Sequence, residues 1–420
     1  MKKKIATEVL VFIFLFSGIN ELFSIPAFSR KYKTSCVTCH SSFPKLNPFG
    51  EAFRYNGYKF PVNDEDNVKE EPIILGAEAY KMVWPKAVWP GSLPGTTPIA
   101  FRGRTGFTIG NEGDSLLFSE FGKPTLQLMA SGVLSEGISF FIGAHLYEEG
   151  KMGNIDRFFI RFNNLFKNFL PEKSLNIRVG QFIPDIVPFA SNHRGITNSA
   201  YAFNTYAPEL GTGFVAGHVH GGGPFGIENF QLGAEASGIV KSRFRYVAGL
   251  VNGNGTEDDD NSFRDLYGRL SFKLGGMAFD GTFRDGVTDI ETSITLGVFA
   301  YKGIKTINSY DIDFHRLGFD ANIYLNKLNL VGGFITGSDG NQDKDKYNLF
   351  FTEANYAFYP WLTGLLRYEQ ANPKGKESAK QLVPHISALT VANVRLKLET
   401  RLDISDIKFN NLYFGLDFAF

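Results

Sequence analysis

The feature that most constrains the fold is an alternation of apolar and polar residues with a period of two. In the last residues of the chain one parity is apolar and the other is polar or small: Leu412, Phe414, Leu416, Phe418 and Phe420 against Tyr413, Gly415, Asp417 and Ala419. The same alternation recurs around residues 157–162, 243–248, 269–274 and 393–398. A period of two is typical of a β-strand with one apolar face.

Many alternating strands fit either a soluble sandwich or propeller or a transmembrane barrel with its apolar face toward lipid. Three observations favour the barrel. Arginines lie on the polar parity, where a packed core would bury them unpaired at a large cost. The chain ends on a strand that finishes in Phe420, and it begins with an export signal. We therefore predict an all-β protein, a barrel of about sixteen (or eighteen) antiparallel strands from about residue 73 to residue 420.

Charge gives a further expectation about the lumen. Lys plus Arg and Asp plus Glu both number 43, so the net charge gives no reason to expect a nucleic-acid partner. The strand register turns a set of arginines into the barrel: Arg102, Arg104, Arg157, Arg161, Arg178, Arg243, Arg245, Arg269 and Arg395. A basic lumen is typical of an anion-favouring pore, but it can equally hold the acidic groups of a plug, and both interpretations stay open.

The first residues predict export. Three lysines precede the short apolar run Val9–Phe16, which is much shorter than the roughly twenty residues of a membrane-spanning helix. A basic start, a short apolar core and small residues near its end are typical of a secretory signal peptide. We assign residues 1–24 to it, with cleavage between 24 and 27, residues 25–72 to an N-terminal segment, and residues 73–420 to an outer-membrane barrel.

Both cysteines of the chain lie in this N-terminal segment, in the run Cys36-Val-Thr-Cys39-His40. The spacing is that of covalent haem c: the two thiols take the two vinyl groups and the imidazole binds the iron. A zinc site would need further ligands. A thioredoxin-type redox pair would sit in a strand–helix unit, which this stretch does not resemble. A structural disulfide that closes so short a loop would add little stability. We predict one covalent haem c, attached at Cys36 and Cys39, with His40 as the proximal iron ligand.

The residues that follow predict a helix packed near the haem. Asn47 can cap it, Pro48 suits its first position and Gly57 its end. Its apolar face carries Phe49, Ala52 and Phe53, although a surface helix over the barrel mouth would show the same pattern. Segment 25–72 is short for a domain with its own core, so we expect a mainly helical plug in or under the lumen, joined to the barrel by the polar stretch 63–67.

The N-terminal motifs resemble the start of the fused monohaem cytochrome–porins, outer-membrane proteins best known from bacteria that oxidise ferrous iron. The resemblance lies in these stretches: Pro26–Arg30, Ser35–His40, Phe43–Gly50, Phe53 and Asn56–Tyr58. It implies a haem within a sixteen-stranded barrel that passes electrons from an extracellular donor, such as Fe²⁺, to a periplasmic carrier. Whether the chain would act as a ferrous-iron oxidase stays open. The alternative is a porin for small anions whose haem-bearing plug is structural or sensory.

The second axial ligand is not given by the motif. Strand parity turns His145 and Met129 inward, and His193 could reach the lumen from its loop, whereas His315 faces outward. We rank the candidates as His145, then His193, then Met129. The alternative is an iron with no second protein ligand, either five-coordinate or bound to water. The choice affects the haem potential, because thioether sulfur raises it relative to nitrogen.

Overall fold

The computed structural model describes most of the chain after the predicted signal peptide. The described residues are 27–71, 73–74, 82–83, 92–93, 98–112, 116–148, 150–187, 195–199, 201–202, 230–255, 261–283, 292–307, 309–340, 342, 345–404 and 408–420. The signal peptide and His193 lie outside them. None of the helices formed by these residues is long and apolar enough to cross a bilayer.

Short elements make up the N-terminal segment. In chain order they are α1 (Ala27–Tyr32), a 3₁₀ turn (Cys36–Thr38), β1 (His40–Ser42), β2 (Lys45–Leu46), α2 (Pro48–Tyr55) and α3 (Asp64–Asn67). Strands β1 and β2 pair as a small hairpin. The prediction for α2 is confirmed: Pro48 is its first residue, and the Asn47 side chain caps it.

Sixteen antiparallel strands then close into a barrel, as predicted. They are β5 (Ile99–Glu112), β6 (Leu116–Ser135), β7 (Ile138–Tyr147), β8 (Ile155–Phe162), β9 (Asn176–Phe182), β10 (Gln231–Val240), β11 (Phe244–Val251), β12 (Asp265–Gly275), β13 (Ser293–Ile307), β14 (Tyr310–Leu325), β15 (Leu328–Ser338), β16 (Lys346–Tyr359), β17 (Leu362–Pro373), β18 (Ala379–Val391), β19 (Val394–Asp403) and β20 (Lys408–Ala419). Each strand pairs with its sequence neighbours, and β20 closes the barrel on β5.

The barrel begins later than predicted. Ile73–Ile74 (β3) pairs only with Ser92–Leu93 (β4) in a separate two-stranded sheet, which moves the start of the barrel from Ile73 to Ile99. The sequence before Ile99 explains the shift, because it contains four prolines: Pro85, Pro90, Pro94 and Pro98. Proline has no N–H to donate to a strand ladder, so such a stretch cannot form an inner strand.

The predicted faces of the strands are confirmed. On β12, Leu270 is 48% exposed on the outside of the barrel, whereas its neighbour Arg269 is 3% exposed inside. Phe158 and Phe414 are likewise exposed on the outer face, and His315 lies on it as well. Among the arginines predicted to face the lumen, Arg243 lies in the turn just before β11. The outward parity of these strands therefore exposes large apolar side chains, and the inward parity carries the arginines.

Several arginines that line the lumen are paired with acidic residues of the barrel wall. The pairs include Arg102–Asp417 (3.2 Å), Arg178–Glu235 (2.8 Å), Arg269–Asp320 (2.5 Å), Arg367–Glu369 (3.2 Å) and Arg395–Asp417 (2.5 Å). In each pair both residues belong to the barrel wall, on the same strand or on strands close to each other, and none belongs to the N-terminal segment. The inner wall is therefore an ion-pair lattice and not an open basic surface.

The first testable prediction concerns Asp417, the anion at the seam where β20 closes on β5. It faces Arg395 at 2.5 Å, Lys397 at 3.0 Å and Arg102 at 3.2 Å, all buried. Asp417→Asn keeps the shape and leaves three cations without their carboxylate, so we expect a loss of about 3–5 kcal/mol. The measurement is the temperature at which the folded barrel converts to the unfolded band in electrophoresis.

The matched control is Glu136→Gln, which breaks the exposed pair Lys167–Glu136, with side chains 61% and 84% exposed. An exposed pair of this kind contributes less than about 1 kcal/mol. Equal transition temperatures for the two variants would contradict the role given to Asp417.

Candidate functional site

The N-terminal segment lies inside the barrel, where its β1–β2 hairpin contacts the inner face of strands β14 and β16. The Lys45 ammonium lies 3.0 Å from the Glu353 carboxylate of β16, and both side chains are almost fully buried. On β14, the Tyr324 hydroxyl donates to the Leu46 carbonyl at 3.0 Å. A buried ion pair between residues so far apart in sequence requires that β1 and β2 sit within the lumen. The N-terminal segment therefore lies within the lumen, as expected for a plug. We call residues 27–71 the plug.

The end of α2 is held by the opposite side of the wall. Arg161 of β8 donates to the carbonyls of Arg54 (2.9 Å) and Tyr55 (2.6 Å), the last residues of the helix. A cation at this position satisfies carbonyls that have no partner within the helix and favours its negative end. Arg54 itself pairs with Asp185, which lies just after β9. The helix is therefore fixed at its C-terminal end by the barrel.

Asn47 holds the CxxCH turn against the start of α2. Its side-chain amide donates to the carbonyls of Val37 and Thr38, both at 3.1 Å, while its side-chain oxygen accepts from the Gly50 N–H at 2.9 Å. Its backbone N–H donates to the Cys39 carbonyl at 3.0 Å. One side chain thus caps the helix and shapes the turn that carries both thiols.

Gly50 permits the close approach of α2 to this turn. A Cβ at Gly50 would lie 2.1 Å from the Cys39 carbonyl oxygen, a backbone atom that cannot move aside cheaply. The sequence predicted that Asn47 caps the helix. It did not predict the hydrogen bonds from Asn47 to the CxxCH turn or the need for glycine at position 50. Both roles depend on a tertiary contact that the local pattern does not contain.

A cavity of about 300 Å³ lies between the plug and strands β5–β9. Cys36, Cys39 and His40 all line it. Its other walls are largely apolar and aromatic: Phe28, Phe43, Phe53, Tyr58 and Phe60 from the plug and Ala100, Met129, Phe141, Phe159 and Phe182 from the barrel. Arg54, Arg102, Arg157 and Arg178 also border it. The structure therefore brings the three residues of the predicted attachment motif together at one apolar space inside the lumen.

The plug aromatics that border the cavity also pack on one another. Phe28 stacks on Tyr58 with ring centroids 5.7 Å apart and meets Phe53 edge-on at 4.8 Å. Tyr32 stacks on Phe60 at 3.9 Å. This packing gives the cavity a preformed wall, so that a flat apolar ligand would need little rearrangement.

Burial shifts the pKa of all three chemistry-bearing side chains of the CxxCH motif. Burial raises the pKa of both thiols, that of Cys39 to about 12, so they are not reactive thiolates at neutral pH. Burial lowers the pKa of His40 to about 4, against the opposing effect of the Pro44 and Lys45 carbonyls. The imidazole is therefore neutral, with a lone pair available to a metal. In the described ranges, no three His, Cys, Asp or Glu side chains group into a metal site of their own.

The candidates for the second axial ligand fall in different places. Met129 lines the cavity with the CxxCH residues. His145 is buried and faces inward as predicted, but it is not part of the cavity wall. Its Nδ1 lies 2.7 Å from the Asp156 carboxylate and 3.5 Å from that of Glu148. His193 is outside the described residues.

Comparison with solved structures shows a porin-type barrel. The chain is similar to the anion-selective porin from Comamonas acidovorans, with a TM-score of 0.54 and 13% identity, over 77% of this chain and 98% of that one. It is also similar to Salmonella typhi OmpF in complex with daunomycin, with a TM-score of 0.51 and 10% identity, over 77% and 97% of the two chains. The search against protein-family models gives no match, and the search of curated proteins gives none either. At these identities the likeness shows the fold: a sixteen-stranded barrel of the porin type.

Docking of the plug gives the second testable prediction. Arg161→Met removes two charge-assisted hydrogen bonds to α2, each of about 1.5–3 kcal/mol. We therefore expect the plug to open more often and chymotrypsin to cut it about tenfold faster or more, while the barrel still migrates as a folded species. The control is Lys167→Met, an exposed lysine in the connection after β8. Equal cleavage rates in the two variants would refute the docking role of Arg161.

Proposed function

We propose that this chain is an outer-membrane monohaem c-type cytochrome fused to a porin-like barrel. In this proposal it carries electrons across the outer membrane, from an extracellular donor such as ferrous iron to a periplasmic carrier. The observation that carries the proposal is the convergence of Cys36, Cys39 and His40 on one apolar cavity within the lumen. The resemblance of residues 26–58 to the fused cytochrome–porins supports it independently.

The residues at the cavity fit a haem c. Two thiols on a short turn can form thioethers with the vinyl groups, and the neutral His40 imidazole can bind the iron. The aromatic walls match an apolar macrocycle. Arg157 also borders the cavity, and a guanidinium group binds carboxylates such as those of haem well. Bound there, haem iron would supply one-electron chemistry; the protein's part is to hold, orient and shield it.

The apolar outer face supports an assignment to the outer membrane, since only a closed barrel can expose strands to lipid. The barrel end that carries the C-terminus also has the tight β6–β7 turn, whereas the opposite end carries the long connection 183–230. In outer-membrane barrels the short turns are periplasmic. Lys59 of the plug reaches the Glu136 carbonyl in the β6–β7 turn, so this part of the plug would face the periplasm.

The alternative function, an anion-favouring porin, is supported by the fold alone. A porin that favours anions would need a lumen open to solutes and a lining with net positive charge. Here the plug and the described parts of connection 183–230 occupy the lumen: Ala202 donates its N–H to Glu369 at 2.7 Å, and Tyr201 donates its hydroxyl to Glu353 at 2.7 Å. Arg102, Arg178, Arg269 and Arg395 of the wall are paired with acids. These contacts favour the electron-transfer proposal over the porin alternative.

The third testable prediction is covalent haem. The mature protein should keep a haem stain after denaturing electrophoresis and titrate as a single one-electron centre. Cys36→Ala with Cys39→Ala should abolish both, while the barrel still assembles. A mature wild-type protein without haem, or one that holds zinc in its place, would overturn the proposal.

Conductance of the purified protein in a planar bilayer distinguishes the two functions. Electron transfer with a closed lumen predicts a redox-active haem and little ion current. A large, anion-selective current through the haem-loaded protein would favour the porin instead.

The fourth testable prediction separates the two roles of Asn47. Asn47→Asp keeps the helix cap but replaces the amide donor with a carboxylate facing the Val37 and Thr38 carbonyls. We expect haem per folded barrel to fall severalfold, since the turn that presents the thiols loses both bonds. Asn47→Ser also keeps a helix cap and loses the same two amide bonds, but brings no charge, so a similar fall in this variant assigns the effect to the lost bonds rather than to the added carboxylate. If Asn47→Asp incorporates as much haem as the wild type, the side chain does not shape the attachment turn.

A further inference from the structure

Resting on the proposed haem, we propose that Met129 is its second axial ligand. The inference assigns a thioether sulfur of the barrel wall, rather than a residue of the plug, to the remaining position on the iron. It reverses the order expected from strand parity alone, which put His145 first.

The position of Met129 on β6 carries the inference. Its side chain shares the inward parity of Gln127 and Ser131, and all three line the cavity with Cys36, Cys39 and His40. The residues paired with Met129 on either side are small: Ala100 on β5 and Gly143 on β7. Methionine is unbranched and has three rotatable side-chain bonds, so the thioether can adjust its position within the cavity that it lines. Met129 is therefore placed where the plug and the wall meet, with freedom to adjust.

The chemistry of the cavity wall excludes most competitors. Axial ligands of haem iron in proteins are typically His, Met, Cys or Tyr. Among the described lining residues, His40 and Met129 are the only His and Met, and both cysteines belong to the attachment motif. The lining tyrosines are Tyr32, whose hydroxyl donates to Asp64 at 2.6 Å, and Tyr58, whose pKa is raised by burial. Neither is a ready phenolate.

His145 is held away from this position by its neighbours. Asp156, which lies 2.7 Å from its Nδ1, also accepts from Gln127 at 3.3 Å. Gln127, the cross-strand partner of His145, borders the cavity, whereas His145 is not part of the cavity wall. Parity alone predicts that His145 faces inward, but it does not tell which inward residues reach the cavity.

The test uses the purified, haem-loaded protein and its Met129→Leu variant, with Met277→Leu as a control for loss of a buried methionine outside the cavity. The ferric wild-type protein should show the weak long-wavelength methionine–iron band and a low-spin spectrum. Met129→Leu should retain the covalent haem stain, lose this band and shift toward high spin. Met277→Leu should resemble the wild type.

A second variant keeps the inference testable if Met129→Leu fails to assemble. Met129→His should stay low-spin with a reduction potential well below that of the wild type, because nitrogen replaces sulfur. A haem-loaded Met129→Leu or Met129→His protein with unchanged spectrum and potential would overturn the assignment and leave the haem proposal standing. A wild-type protein without haem would overturn both.

Discussion

Closure of β20 on β5 is the constraint on which the remaining structure depends. An open sheet of this length would leave two edges of unpaired N–H and C=O groups, which lipid cannot satisfy. Closing it turns one parity outward, where it is apolar, and the other inward, where it is polar. The seam is marked by Asp417, which bridges cations from both neighbouring strands. The lumen that results holds buried charges together with apolar side chains such as Phe159 and Phe182, and an apolar ligand there needs further apolar walls.

The plug supplies them. Its aromatic residues pack on one another and, together with Phe141, Phe159 and Phe182 of the wall, enclose an apolar cavity within a charged lumen. The plug is too short to bury such a site alone, and the barrel compensates through Lys45–Glu353 and Arg161 at the end of α2. In our proposal, the plug attaches the haem and the barrel buries it, so that the two parts together form one electron-carrying unit.

The strand faces were predictable from sequence because alternation is local: each residue's side follows from its neighbours. The ion pairs of the lumen were not, since Arg102 and Asp417 lie at opposite ends of the barrel sequence. The start of the barrel was missed because Ile73–Ile74 does form a strand, but one that pairs with Ser92–Leu93 in a separate sheet and not with the barrel. The stretch 63–67, expected to be a linker, forms α3, and Asp64 accepts hydrogen bonds from Tyr32 and the Phe60 N–H.

The CxxCH motif predicts Cys36, Cys39 and His40 as a haem site because attachment chemistry requires that spacing, and all three line the cavity. The supporting residues were harder to predict. Asn47 and Gly50 act on the turn through contacts that exist only once α2 folds back on it. Met129 and His145 have the same inward parity, and only the position of the plug distinguishes them.

The central claim is that the loaded lumen passes electrons but not solutes. It is tested most directly in liposomes that contain the haem-loaded protein and a trapped redox dye, with a membrane-impermeant reductant added outside. We predict that the trapped dye is reduced without leaking, and that liposomes with the Cys36→Ala, Cys39→Ala barrel reduce it no faster than empty ones. Reduction at the same rate by the haem-free barrel, or escape of the dye through the loaded one, would contradict the account.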